Sequence, residues 1–300
     1  MPQRVTATRG SALSEVDRIA RLVVKHPKDA FGGPEAIAIE WRTLGFTAPP
    51  DFARAVDEYD RFLKLVGETG AELLSLPKAE RVGLDSVYVR DASIVCDGGV
   101  ILCAMGKPQR AGEPAAQRAA FADWGIPVVG SIEPPGRLEG GDVVWLDSRC
   151  IAVGRGYRTN DEGIRQLRVL LGDAIDELIV VPLPHWRGPG DVFHLMSILS
   201  PIAHDLAAVF SPLMPVPFRE RLLARGTRFI EVPKEEFDSM GANVLALAPR
   251  RVLMVAGNPR TRALIEQAGA EVLEYSGREI SLKGGGGPTC LTRPIVRVSS

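Results

Sequence analysis

The stretch DVVWLDSRCIAVGRGYRTNDEGIRQLRVLLGDAIDELIVVPL, residues 142–183, holds one complete structural unit, and its reading decides the fold. A short apolar run, DVVWLDS, turns into a second, CIAVGRG. An amphipathic segment, NDEGIRQLRVLLG, follows, and a third apolar run, ELIVVPL, closes the unit. Short β-branched runs bounded by turn residues predict strands, while apolar residues recurring every three or four positions predict a helix. Gly172 stands where a helix ends on a left-handed residue that satisfies the last carbonyls. The unit therefore reads strand, strand, helix, strand.

Working outward, the same order recurs. GVILCAMG runs into EPAAQRAAFADWG and IPVVGSI; LAAVFSP into PFRERLLARG and TRFIEVP; RVLMVAG into NPRTRALIEQAG and AEVLEY. A fifth helix and strand, DFARAVDEYDRFLKLVGETG and AELLSLP, stand near the N-terminus without a leading strand, and the C-terminal segment is expected to supply it. The helix-ending glycines are Gly70, Gly125, Gly172, Gly226 and Gly269. A repeat of this length points to a repeated architecture rather than a chance pattern.

Each leading strand is preceded by a further short run: ASIVCDG, DVVWLDS, LMSILSP, NVLALAP and CLTRPIV. The residues that open these runs are Asp91, Asp142, His194, Asn243 and Cys290, spaced 51, 52, 49 and 47 residues apart. In a ring with strand starts toward the axis, all five converge. A doubly wound parallel sheet is the usual outcome of repeated βαβ patterns. Such a sheet gives no reason, however, for polar or reactive residues to recur at one matching point. No GxGxxG follows the first strand and no GxxxxGK[ST] occurs, which argues against nucleotide binding. The expected fold is an α/β chain of five ββαβ units in a pseudo-fivefold ring, as one domain over residues 1–300.

The composition fits a globular chain, with 45% hydrophobic and 24% charged residues among 300. The 36 basic and 37 acidic residues leave a net charge of -1, so no overall field attracts nucleic acid or an anionic membrane surface. The apolar runs fall far short of the roughly 20 residues of a membrane helix, and the opening MPQRVTATRG has no apolar signal core; a cytoplasmic location is expected. Cys96, Cys103, Cys150 and Cys290 show no CxxC pairing, so neither zinc nor a disulfide framework is indicated. No metal and no cofactor are expected.

Cys290 follows the glycines of KGGGGPTCLTRPI, residues 283–295, where a ligand can approach the backbone and positive φ angles can aim the side chain. A cysteine there serves as a nucleophile once it is a thiolate. His194, in GPGDVFHLMSIL, sits where a general acid or base could be held in a cleft; His26, His185 and His204 read as surface residues. Asp85 and Asp91 in LDSVYVRDASI, with Glu139 and Asp142 in RLEGGDVVWL, put an excess of carboxylates beside one cysteine and one histidine. That balance suits a planar cation such as guanidinium. Arg110 and Arg158 each follow a leading strand and precede a helix, a location fit to grip a substrate carboxylate.

With these residues in hand, the chain resembles the guanidine-modifying enzymes of the pentein, or five-bladed α/β propeller, fold. The resemblance runs from about residue 80 to the end through VYVRD, LEGGD, GYRTN, FHL and GGGGPTC in that order. It is similar above all to dimethylarginine dimethylaminohydrolase, with arginine deiminase as a near neighbour. The resemblance implies Cys290 as nucleophile, His194 as general acid and base, Asp91 and Glu139 as holders of the guanidinium, and Asp85 as a further substrate contact. It implies Arg110 and Arg158 at the substrate α-carboxylate; Asp142 and Asn243 are expected at the substrate site because they open matching runs of the repeat. The implied reaction passes through a covalent thiouronium to a ureido product such as citrulline, on a small guanidino substrate, in a monomer or homodimer. Arginine deiminases carry an aspartate two residues after the histidine, where this chain has Met196, which favours a substituted guanidine. An amidinotransferase, and a non-catalytic ribosome-binding protein of the same fold, are the alternatives.

Overall fold

A computed structural model describes residues 13–191 and 193–299. The opening MPQRVTATRG lies outside the described residues. Among those described, no helix is long and apolar enough to cross a membrane.

Among the described residues, fifteen strands form five three-stranded sheets. The first sheet orders β15 (Arg293–Val298), β1 (Arg18–Val24) and β2 (Glu72–Ser75). The second holds β3 (Ser93–Cys96), β4 (Gly99–Leu102) and β5 (Val128–Ser131), and the third β6 (Val143–Asp147), β7 (Cys150–Arg155) and β8 (Glu177–Pro182). The fourth contains β9 (Leu199–Ala203), β10 (Leu206–Val209) and β11 (Arg228–Glu231), and the fifth β12 (Val244–Ala248), β13 (Arg251–Val255) and β14 (Glu271–Tyr275). In every sheet the central strand pairs antiparallel with the first strand and parallel with the third. The antiparallel pair fits a tight hairpin; the parallel pair requires a helical crossover.

Those crossovers are α3 (Phe52–Gly67), α4 (Glu113–Asp123), α5 (Asp161–Leu171), α6 (Val216–Ala224) and α7 (Pro259–Gln267), with two short helices, α1 (Pro27–Ala30) and α2 (Pro34–Glu40), ahead of them. In α3 the Asp51 carboxylate accepts from the Arg54 N–H at 3.0 Å, capping the first turn. Ala55, Tyr59, Phe62 and Val66 then recur at helical spacing and form its buried face. In α5 the Asn160 side chain caps Gly163, and Ile164, Leu167 and Leu171 are buried. All five glycines expected to end helices have positive φ, from 50° at Gly172 to 84° at Gly269.

One expectation is corrected. The leading strand of the first unit is RIARLVV, β1, and the C-terminal segment supplies the antiparallel partner β15 instead. Charged residues at 18 and 21 hide this strand's apolar alternation, although Ile19, Leu22, Val23 and Val24 are buried. Residues from both ends of the chain thus share one sheet.

The core is divided among four apolar clusters that join the sheets. Val23 and Leu74 of the first sheet pack with Val100 and Leu102 of the second. Ile94 and Ile101 pack with Val143, Ile151 and Val153 of the third. A larger cluster links Val144 and Ala152 to Ile202 and Ala208 of the fourth and Val244 and Val252 of the fifth. Leu245, Leu253 and Val255 then pack against Ile19 and Leu22, returning to the first sheet. Each fully buried aliphatic side chain contributes about 1.5–3 kcal/mol, so every sheet depends on its neighbours for stability.

Candidate active site

The residues that open the five first strands lie one to five positions ahead of β3, β6, β9, β12 and β15. His194 caps a short 3-10 turn, Leu195–Ser197, just before β9. Glu139 precedes another, Gly140–Asp142, just before β6. These turns bring the two side chains together: His194 Nε2 lies 2.7 Å from Glu139 Oε2. Glu139 also accepts from the Gly106 N–H at 2.8 Å and the Lys107 N–H at 3.3 Å, and Arg158 Nη1 lies 3.4 Å from both its oxygens. Burial would raise this carboxyl, but His194 and then Arg158 and Arg110 hold it well below the usual carboxylate range. It is therefore a fixed anion against the imidazole.

Burial alone would push His194 down. The carboxylates of Asp91, Asp142 and Glu139 outweigh that and hold it up at about 9. Near neutral pH the ring is consequently an imidazolium, an acid with a proton to give. Cys290, half-buried, shares the walls of one cavity with His194. Burial and the Asp91 charge push its thiol up, while the Thr289 hydroxyl, Arg90 and the Gly287 N–H act in the opposite direction. Asn243 Nδ2 donates to Cys290 Sγ at 3.6 Å, and Asn243 Oδ1 accepts from the Thr289 N–H at 3.1 Å and hydroxyl at 2.9 Å. Asn243 thereby holds the loop that carries the sulfur.

The shared cavity has a volume of about 250 Å³, with Trp186, Phe193, Met196, Phe237 and Met240 among its walls. A smaller polar recess adjoins it, lined by Asp85, Asp91, Lys107, Arg110 and Arg158, and again touched by His194 and Cys290. Sulfur and imidazole thus stand between a larger chamber of mixed lining, with Arg187, Asp191, Asp238 and Lys283 beside its apolar walls, and a smaller charged one. The ligand atoms of Asp91, Glu139 and His194 lie within 4.8 Å of one another. Asp91 and Glu139 already face guanidinium groups and backbone N–H donors, so the cluster suits a planar cation better than a bare metal ion.

The glycine run before Cys290 serves close packing more than backbone freedom. Only Gly285 has a positive φ, of 76°. A Cβ on Gly284 or Gly286 would collide with the Tyr88 ring and hydroxyl, and one on Gly287 with Asn243.

Four expected contacts take a different form. Glu139, expected to hold the guanidinium, is fully buried against His194 and lines neither chamber. Arg110, expected at a substrate carboxylate, is 3% exposed, and its donors are already committed. It forks onto Glu113 at 2.8 Å through Nε and Nη2, reaches Asp91 at 2.6 Å through Nη1, and donates to the Tyr88 carbonyl at 2.9 Å. Asp142, expected at the substrate, is fully buried behind His194; its oxygens accept from the Thr159 hydroxyl at 2.6 Å and the Leu195 N–H at 3.0 Å. It lines neither chamber. Asp85 reaches the recess but is paired with Lys107 Nζ at 2.5 Å. Lys107 escaped the sequence reading although it sits three residues before Arg110, in the same segment between strand and helix. Residues 40–47 also went unassigned: Leu44 accepts from Lys107 Nζ at 2.6 Å, and Gly45 and Thr47 line the cavity.

This geometry has counterparts. The family model described as "N,N dimethylarginine dimethylhydrolase, eukaryotic" matches residues 50–297. The chain is 32% identical over 249 residues to N(G),N(G)-dimethylarginine dimethylaminohydrolase of Streptomyces coelicolor, covering 83% of this chain and 87% of that one. A solved structure of a mutant dimethylarginine dimethylaminohydrolase from Pseudomonas aeruginosa, complexed with citrulline, superposes with a TM-score of 0.72 at 25% identity, over 92% of this chain and 98% of the other. SxtG, an amidinotransferase from Microseira wollei, shares the fold, with a TM-score of 0.78 at 16% identity over 97% of this chain and 98% of the other. With sulfur, imidazole and carboxylates gathered at one cavity, the chain belongs to the dimethylarginine dimethylaminohydrolase family of the pentein superfamily and is a hydrolase of guanidino carbon–nitrogen bonds.

Proposed function

We propose that the chain hydrolyses an N-methylated, arginine-like guanidine to a citrulline-type ureido product and an amine, in one catalytic domain built as a five-bladed α/β propeller. The cyclic succession of apolar clusters, from the first sheet through the fifth and back, supports the propeller. The observation that carries the chemistry is that Cys290 and His194 line both chambers, with Asp91 beside them in the smaller one and Glu139 bonded to His194 behind it.

Asp91, on the wall of the recess, takes the guanidinium while Glu139 fixes His194 from behind, and the positive charge lowers the Cys290 thiol from its raised value, releasing the proton to solvent. The thiolate attacks the guanidinium carbon, forming a C–S bond. His194, poised as imidazolium, protonates the departing nitrogen as its C–N bond breaks. The neutral imidazole that remains takes a proton from water, which attacks the thiouronium carbon; cleavage of the C–S bond then frees the ureido product and regenerates the thiolate. Met196, an apolar side chain on the wall of the larger chamber two residues after His194, supports a methylated nitrogen over a free one.

The test incubates the protein with arginine, monomethylarginine, dimethylarginine and agmatine and measures ureido product and released amine. Dimethylamine from dimethylarginine is the expected outcome. Ammonia from arginine, without turnover of methylated substrates, makes it a deiminase. Transfer of the amidino group to added glycine or lysine makes it an amidinotransferase.

A further inference from the structure

Beneath the reaction centre lies a second cluster of charge that the chemistry above does not use. Arg90, Arg293 and Arg297 are 1%, 5% and 3% exposed. Arg90 Nη2 donates to Glu15 Oε2 at 2.5 Å. Arg293 Nη2 donates to the Arg90 carbonyl, and Arg297 Nη1 to the carbonyls of Asp17 and, at 3.0 Å, Ala246. The nearby Asp17 carboxylate is turned to His204 at 3.0 Å and Ser299 at 3.4 Å. Among the described residues, only Arg90 of these three buried guanidinium groups bonds a carboxylate directly; Arg293 and Arg297 reach carbonyls alone.

Four of their nitrogens, Arg90 Nε and Nη1, Arg293 Nε and Arg297 Nη2, are buried without a hydrogen-bond partner among the described residues. The three side chains line a cavity of about 20 Å³ together with Glu15 and Trp145. Burial, with repulsion from Arg90, pushes Arg293 down to about 9, and burial takes Arg297 down to about 10. Unpaired buried donors and uncompensated buried charge are both costly. A water molecule would answer only the first deficit; an anion answers both. A space of about 20 Å³ has room for a water-sized guest, which favours a small monovalent anion over phosphate and other large oxyanions.

We propose that Arg90, Arg293 and Arg297 form a buried site for one small monovalent anion of chloride size. The site bears on the reaction centre through Arg90, whose N–H donates to the Cys290 carbonyl at 3.2 Å and whose charge favours the thiolate. A bound anion screens that charge and makes the thiol harder to ionise.

The full chain is compared in sodium chloride and sodium gluconate at equal ionic strength. Chloride is expected to raise Tm saturably by about 3–6 °C. It is also expected to raise the pKa of Cys290, read by mass-mapped alkylation against pH, by a few tenths. A crystal soaked in bromide should show an anomalous peak among the three guanidinium groups. Arg297→Gln should lose the chloride dependence of Tm; if that variant does not fold, the bromide peak in the unmodified chain decides. Equal Tm and thiol pKa in both salts, with no bromide peak, would mean the cavity holds only water and would overturn the proposal. A chloride effect that survives Arg297→Gln without a bromide peak would assign it to the surface and overturn it equally.

Discussion

A Cβ placed on Gly141 would meet His194 Nδ1 at 2.7 Å and Asp91 Oδ1 at 2.8 Å. The glycine is the floor on which the imidazole lies, and the Gly141 N–H also donates to Asp91 at 3.1 Å. Gly141→Ala should leave the fold intact, because only one methyl is added at a strand approach, but should displace the ring from its working position. The expected loss in kcat/KM is about 10²-fold or more. Circular dichroism and Tm close to those of the unmodified protein, together with the kinetic loss, check this; near-normal turnover would refute it.

Glu139→Gln removes the anion 2.7 Å from His194 Nε2 while keeping its shape. The imidazole, held at about 9 by surrounding carboxylates, should fall toward its ordinary value. Because the acid form gives the proton, the alkaline limb of the rate profile should move to lower pH, and kcat should drop roughly 10²- to 10⁴-fold. The folded His194 binds its proton more tightly than the unfolded chain does. Its contribution to stability is therefore present below pH 6.5 and lost as pH rises through about 9, a loss the variant should show less of. Rate profiles and Tm against pH read both effects.

Asn243→Leu deletes the amide that donates to Cys290 Sγ and supports Thr289. The thiolate loses a donor, so the thiol pKa should rise. Inactivation by iodoacetamide at pH 7 should slow in proportion, because the reactive fraction falls. An unchanged alkylation rate would show that Asn243 has no hold on the sulfur.

Arg110→Met strands two buried carboxylates, Asp91 and Glu113, and should cost about 3–5 kcal/mol. Burial raises Glu113 to about 7 even with Arg110 present. A buried acid with a raised pKa supports the fold below its unfolded value of 4.5 and withdraws that support as pH climbs through about 7. Without Arg110 the withdrawal deepens. Denaturant unfolding should therefore show the largest deficit at alkaline pH and a smaller one near pH 5.

Much of this was legible because the repeat writes itself in punctuation. Gly125, Gly172, Gly226 and Gly269 end helices at matching points, and Asp91, His194 and Cys290 open runs at matching points, so convergence follows from periodicity alone. β1 was not legible, since Arg18 and Arg21 interrupt a strand whose partner lies at the other end of the chain. Arg110 looked like a free cation because nothing in GKPQR announces that Asp91, 19 residues earlier, and Glu113 already hold it. Asp142 looked equivalent to Asp91 by position. Which oxygen faces a cavity and which faces a threonine is decided by side-chain direction, to which a spacing argument is blind.

Joining strand 293–298 to strand 18–24 also sets the order in which reactivity appears. While the chain is being made, every intermediate that already displays the imidazole still lacks the sulfur, which arrives three residues ahead of the clasping strand. On the mechanism proposed above, a half-finished molecule is inert toward guanidines, because the proposed nucleophile and the clasping strand come into place together.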